Sequence, residues 1–286
     1  MNKFAIYTAI VGDYDEILQP EVVDNRFDYI LFSNDIKEPK VGVWQVRPIN
    51  YHNDIQTKIA RWVKTHPEEL LSEYDCSVWM DANVRIKTTY TYTRSVELYF
   101  SDVKISTVKH PNRDDIYAEC GEVLVYCLEK ERVVFDWINI LRKDGYPRKS
   151  GLYETNLLYR KHCSSIENMD ALWWNYIEEY SRRDQLSFNY VLWKLQIECV
   201  DFLPAGQAAW NSPDYVYVAH SKRKSSIIKN DSQIQRFYGG AQKELRYYYS
   251  KIVNSKHPLL MFYMYNSYIK IVFGLKRIIK NMINGI

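Results

Sequence analysis

The chain has 286 residues, 47% of them hydrophobic, which is enough for one sizeable core, and a formal net charge of +3. Its five cysteines are scattered, with none spaced as Cys-x-x-Cys, which argues against a zinc motif or a disulfide framework and suits a reducing cytoplasm. The charge is uneven: from Ala219 onward thirteen Lys or Arg meet only Asp231 and Glu244, so that end carries +11 and the rest carries +3 less +11, or −8. A basic end of this kind suits an anionic partner such as a membrane surface or a nucleic acid.

Residues 4–11 (FAIYTAIV) read as a first strand closed by Gly12-Asp13; the run is too short, and acids follow too soon, for a signal peptide. Residues 29–33 (YILFS) and 43–46 (VWQV) predict two more strands. Over 54–64, Ile55, Ile59, Ala60 and Val63 fall at helical spacing, and His66-Pro67 starts a short helix through Leu71. Residues 78–80 (VWM) are the next strand, and 122–126 (EVLVY) and 156–159 (NLLY) read as inner strands. Helices are expected over 129–142, 169–180 and 185–195. Alternating strands and helices predict an α/β fold with a largely parallel sheet. Ligands of such sheets bind beyond the carboxyl ends of the strands, which puts Gly12-Asp13-Tyr14, Asn34-Asp35 and Asp81-Ala82-Asn83 on one rim.

Asp81-Ala82-Asn83 has two readings. Asp and Asn favour turns for conformational reasons alone. They also supply oxygens for a divalent cation held against a diphosphate, Asn83 only through its neutral carbonyl. Lys58 and Arg61 share a helix face, which is either solvated or turned to donor phosphates. The segment 109–120 (KHPNRDDIYAEC) is a polar loop or a grip for a polyhydroxyl ligand, through His110 and Arg113 among others. Glu154 precedes an apolar strand. Ser181 is a plausible cap for a helix with Asp184 and Gln185 in its first turn, an end that favours acids and anions in general.

The pieces YTAIVGDYD, DYILFSND, ARWVKTHP, YDCSVWMDANVRI, KHPNRDDIYAE, GLYETNLLYRKH and LWWNYIEEYSRRDQLSFNYVLWK occur in order over roughly residues 4–200. In these the chain resembles the glycosyltransferase-like proteins related to plant turgor-regulation and seed-mucilage factors, a family also found in bacteria. The resemblance implies a GT-A-like, Rossmann-type sandwich binding a nucleotide sugar. Thr8, Ala9, Val11 and Tyr14 would line the nucleotide pocket, and Asp81 and Asn83 would take the Asp-x-Asp position that holds Mn²⁺ or Mg²⁺. His220 would complete the metal site. Asp184, Gln185 and Glu154 would be catalytic groups near the anomeric carbon, in an inverting or a retaining sense left open. Without a metal, Lys58, Arg61 and Arg182 or Arg183 would neutralise the leaving diphosphate.

From Asn266 onward polar and apolar residues alternate at helical period, which predicts a basic amphipathic helix. Asn266, Ser267 and Lys270 interrupt the apolar run, so an in-plane interfacial helix fits better than a span, the alternative being a helix packed on the core or on a second subunit. The expected division is a catalytic domain over 1–220 and a helical extension over 221–286. The functional expectation is a cytoplasmic, membrane-peripheral glycosyltransferase of capsule or lipopolysaccharide assembly, acting on a glycan or lipid-linked acceptor. A metal-dependent hydrolase and a non-catalytic sugar-nucleotide-binding module are the rivals. Nucleic acid ranks below them, because the basic residues of the tail are interleaved with aliphatics.

Overall fold

The computed structural model describes residues 2–12, 15–218, 234–235 and 242–283. The chain forms two compact units, Met1–Asp114 with Lys149–Lys224, and Asp115–Arg148 with Ser225–Ile286. The expected boundary near 220 omits the middle segment 115–148, which packs with the C-terminal part instead.

The first unit is built on β1 (Phe4–Ala9), β2 (Phe27–Phe32), β3 (Lys40–Val41), β4 (Trp44–Arg47), β5 (Cys76–Met80), β7 (Ile105–Lys109), β8 (Tyr153–Lys161) and β9 (Val200–Asp201). They form one eight-stranded sheet in the order β3-β4-β2-β1-β5-β8-β7-β9, and a small pair joins β6 (Val84–Ile86) to β10 (Tyr215–Tyr217). The sheet is mostly parallel: β1 pairs parallel with both β2 and β5, β2 with β4, and β7 with β9, whereas β3 and β8 run antiparallel to their neighbours.

Strict alternation along β1 shows why both faces are covered. Phe4, Ile6 and Ile10 pack with Tyr92 and Leu98 of α3 (Tyr90–Phe100) on one face. Ala5, Tyr7 and Ala9 pack on the other with Trp62 and Val63 of α1 (Gln56–Thr65), Trp173 of α6 (Ser164–Glu179) and Phe188 of α7 (Gln185–Leu195). A strand buried on both sides reads as a continuous apolar run, as residues 4–11 do. Each Ile, Leu, Val or Phe among them contributes about 1.5–3 kcal/mol on leaving water. Pro67 opens the short α2 (Pro67–Leu70) at the position where its missing N–H costs nothing.

The second unit holds α4 (Ile116–Val125), α5 (Glu131–Lys143), α8 (Gln242–Asn254) and α9 (Pro258–Ile283). Here one expectation is corrected: residues 122–126 end a helix and are not a strand. Asp115 caps α4 by accepting from the Tyr117 N–H at 2.8 Å, and Ile116, Cys120, Val123 and Leu124 are buried at helical spacing. Val and Leu suit a buried helix face as well as a strand, and the cap at Asp115 commits the segment to the helix. Arg246 bonds Glu122 at 2.8 Å, and Arg142 donates to the Val253 carbonyl at 2.7 Å, which ties α4 and α5 to the C-terminal helices.

Candidate functional site

The carboxyl ends of β1, β2 and β5 meet at one rim. After β1 the backbone turns at Gly12 with φ +68°, the left-handed region that favours glycine, and a Cβ there would displace the end of the Gln56 side chain. Asp35, after β2, accepts the Gly12 N–H at 2.6 Å. After β5, the Asp81 carbonyl accepts from Val84 N–H at 2.9 Å, closing the turn that the Asp-x-Asn spacing predicts.

Asp81 stands at the edge of a charged cluster. Its Oδ1 accepts from the Trp79 indole at 2.7 Å, with Arg61 NH1 at 3.7 Å and Lys64 Nζ at 3.8 Å. Lys64 Nζ donates to Asp184 Oδ2 at 2.5 Å, Arg61 Nε lies 3.1 Å from Asp184 Oδ1, and the Thr155 hydroxyl donates to Asp184 Oδ2 at 2.9 Å. Lys64 and Asp184 are sealed from solvent; the side chains of Arg61 and Asp81 are 15% and 25% exposed and reach the rim. Burial would raise the Asp184 carboxyl, but Arg61 and Lys64 outweigh it and hold the group well below the ordinary carboxylate range. Burial lowers the Lys64 ammonium to about 8, against the pull of Asp184 and Asp81. Asp184 therefore stays ionised and takes up no proton near neutrality, and it holds two cations, Arg61 and Lys64. It is itself the N-cap of α7, the place expected of Ser181, while Ser181 Oγ accepts from Arg183 N–H at 3.1 Å.

Lys64 was not anticipated, nor was the support beneath it. Arg160 is fully buried, bonds Asp170 at 2.6 Å, and donates to the Lys64 carbonyl at 2.6 Å and to the Tyr7 hydroxyl at 2.6 Å. Those bonds satisfy the last turn of α1 and fix the backbone from which Lys64 extends.

β8 shapes the opposite edge. Between Thr107 and Val108 its register jumps from Leu158 to Glu154, a bulge bridged by the Thr107 hydroxyl, which donates to the Glu154 and Leu157 carbonyls. The bulge turns Thr155 to Asp184 and presents the Asn156 carbonyl to Asp81 N–H at 2.9 Å. The Glu154 carboxylate receives the Asn156 amide at 3.2 Å and the Trp210 indole at 3.4 Å, with His110 Nε2 at 3.8 Å. His110 Nδ1 accepts the N–H groups of Asn112 and Arg113 at 3.1 and 3.0 Å, so the neutral ring carries its proton on Nε2, toward Glu154. Burial, with Arg113 nearby, lowers that imidazole to about 4.

Beside Asp81 lies a narrow cleft of about 10 Å³, room for about one water, lined by Thr8, Ile10, Leu31, Trp44 and Met80 among others. The buried Thr8 hydroxyl has no hydrogen-bond partner among the described residues. Of the expected nucleotide-pocket residues, Thr8 is in the cleft, whereas Ala9 and Val11 join the apolar cluster on the opposite face of the sheet. Tyr14 and His220 lie outside the described residues.

Hydrogen bonds fix the surroundings of three further expected residues. Lys58 donates to the Glu178 carbonyl at 2.5 Å and so closes the end of α6, away from Asp81. Gln185 donates to the Tyr153 carbonyl at 3.0 Å while Asn189, one turn on, accepts the Tyr153 N–H at 3.0 Å; together they clamp α7 onto β8. Asn83 is buried and donates its amide to the Val218 carbonyl at 3.0 Å, which leaves its oxygen without a hydrogen bond among the described residues. Asp81 Oδ2 is likewise without one. Two hard oxygens fit Mg²⁺ or Mn²⁺, which are commonly held by few protein ligands plus substrate phosphates. No third His, Cys, Asp or Glu joins them among the described residues.

Fold and site together define a GT-A-like, Rossmann-type α/β protein with a charged rim at the carboxyl ends of its parallel strands. The chain belongs to the TOD1/MUCI70 family of glycosyltransferase-like domains, whose model matches residues 1–203. Comparison with curated proteins finds no match. Among solved structures, the apo form of the WbbM bifunctional glycosyltransferase is similar over 71% of this chain and 38% of that one, at 10% identity and a TM-score of 0.41.

Proposed function

We propose that the protein moves a hexose from a nucleoside diphosphate donor to a hydroxyl of a glycan or lipid-linked acceptor, in the assembly of surface polysaccharide such as capsule or lipopolysaccharide. The observation that carries this reading is the rim at Asp81, whose carboxylate and the Arg61 guanidinium reach solvent beside the unpartnered Thr8 hydroxyl. The diphosphate lies at the rim and the nucleoside over the strand ends, outside a cleft that has room for little more than a water. Arg61, Lys64, Asp81 and Asp184 sum to no net formal charge, so a dianionic pyrophosphate gains little from the cluster alone. A divalent cation on the Asp81 and Asn83 oxygens, with His220 as a further candidate ligand, would supply the missing charge. Arg61 hydrogen-bonds the phosphates from α1. Glu154 takes the proton of the acceptor hydroxyl as its oxygen bonds to the anomeric carbon, and the electrons of the old bond leave with the diphosphate.

The test is thermal unfolding with UDP, GDP, ADP and CDP, with and without Mn²⁺. A diphosphate at 100 times its Kd stabilises the fold by about 2.7 kcal/mol. One base should raise Tm, more strongly with Mn²⁺, and Asp81→Ala should abolish the rise. A full rise in Asp81→Ala refutes the placement of the diphosphate. A donor sugar left intact over long incubation with acceptor points to the binding module, and sugar release from a glycolipid without any nucleotide points to the hydrolase.

The acceptor's membrane setting has its own support in the second unit. Leu260, Met264, Tyr268, Ile271 and Leu275 recur every three or four residues along α9, with Tyr263 beside Met264, and all are more than half exposed. After Glu244 the sequence has seven Lys or Arg and no acid. Among the described residues no helix is long and apolar enough to cross a membrane. We therefore place α9 in the plane of an anionic bilayer surface. The protein should co-sediment with vesicles containing phosphatidylglycerol and not with pure phosphatidylcholine, and Tyr268→Glu with Ile271→Glu should abolish this. Equal recovery of that double variant would rule out the placement.

A further inference from the structure

Trp210 is 48% exposed although its neighbours Ala208 and Ala209 are buried. It does not sit on a frayed loop. Asn211 closes the turn around it: Oδ1 accepts the Ala208 N–H at 2.6 Å, and Nδ2 donates to the Gly206 carbonyl at 3.1 Å. Ser212 N–H adds a bond to the Ala208 carbonyl at 2.9 Å. The indole is thus held in place with much of its surface open to water, and its N–H is directed at Glu154 Oε1. An indole paired with a carboxylate suits a carbohydrate. The ring stacks against the apolar C–H face of a pyranose, and the acid receives hydroxyl hydrogens. The pair also has a definite position relative to the rim, since Glu154 is two residues before the carbonyl that holds Asp81 N–H.

We propose that Trp210 and Glu154 form the seat of the acceptor sugar, with the indole stacking on a pyranose ring and Glu154 facing its reacting hydroxyl. This rests on the glycosyl-transfer reading above, which took Glu154 as the base and left the acceptor without a binding surface. The His110 Nε2–H, 3.8 Å from Glu154 Oε1, gives the acid a fixed side. The acceptor unit is a pyranose with an unsubstituted C–H face, and not a lipid tail or a peptide side chain.

The test follows the indole N–H resonance of Trp210 in ¹H–¹⁵N spectra of the full-length protein, identified by its loss in Trp210→Phe. The probes are the methyl glycosides of glucose, galactose, mannose and N-acetylglucosamine, titrated to tens of millimolar. At least one should shift that resonance with millimolar affinity. Trp210→Ala should weaken it by about tenfold, and Trp210→Tyr, which keeps a stacking ring, by only about twofold. A glycoside that binds without moving the Trp210 signal, one that binds Trp210→Ala equally well, or no binding at all overturns the proposal. Nucleoside diphosphate binding, read by thermal shift on the same samples, separates the two readings. If the nucleotide binds and no glycoside does, the acceptor seat fails while transfer stands. If glycosides move Trp210 and no nucleotide binds, the seat stands and transfer fails.

Discussion

Glu154→Gln is expected to lower kcat by about 10²- to 10⁴-fold, the usual range for a lost general base, while leaving the nucleoside diphosphate thermal shift intact. The substitution keeps the volume of the side chain and an oxygen for the Trp210 indole, so the bulge that presents residue 154 should survive. What it removes is the proton acceptor nearest the proposed acceptor sugar. Asp184, the other acid expected to act at the anomeric carbon, is poorly placed: it is buried and spent on Arg61 and Lys64. Steady-state transfer rates with saturating donor, alongside circular dichroism to confirm the fold, decide the matter. A kcat within about threefold of the parent would move the base elsewhere and leave Glu154 a positioning role.

The rim was legible because turn chemistry marks strand ends. Gly12, Asn34-Asp35 and Asp81 each follow an apolar run, and in the structure Gly12 and Asp35 share a hydrogen bond. The interior of the site was not legible. Lys58 and Lys64 sit on the same helix, six residues apart, and so point in different directions. Lys58 reaches the end of α6, whereas Lys64 is covered by α6 and α7, elements more than a hundred residues later. A lysine in an amphipathic helix reads as solvated unless that cover is known. One signal was available: WVKTHP follows Arg61 directly, with Lys64 beside the apolar Trp62 and Val63 that line the buried face. The β8 bulge left no trace in the pattern either, because Thr155 and Asn156 look like ordinary strand residues until their register against β7 is seen. The misread 122–126 run has a local cause: Val and Leu there serve a buried helix whose cap, Asp115, lies well upstream. Composition likewise placed a basic end after residue 219, but that 115–148 packs with it depends on pairs such as Arg246 with Glu122, far apart in the chain.

Asp184→Ala should destabilise the fold by about 3–5 kcal/mol, the cost of leaving buried charges without their counter-charge. Lys64 would keep only Asp81, 3.8 Å away, and Arg61 would lose its closest carboxylate. Urea unfolding at pH 7 measures the loss. Combining Asp184→Ala with Lys64→Met removes one stranded cation and should recover a substantial part of it; a double variant no more stable than the single one would show that the pair is not the source. The dependence on pH gives an independent check. Asp184 has a folded-state pKa below its unfolded 3.8, so its contribution is present above that value and lost as pH falls beneath it. His110 and His162, held near 4 by burial against an unfolded 6.5, erode stability earlier, from about pH 6.5 downward, because the unfolded chain takes up protons that the fold refuses. Lys64 acts at the other end. Its folded pKa of about 8 lies below the unfolded 10.5, so between those values the unfolded chain binds more protons and stability rises with pH. Lys64→Met should flatten that rise between pH 8 and 10 while leaving the acid limb from the two histidines unchanged. If the parent protein shows no rise there, the ammonium inside the cluster is far less desolvated than its burial implies, and the account of Asp184 as the charge that holds Arg61 at the rim loses its basis.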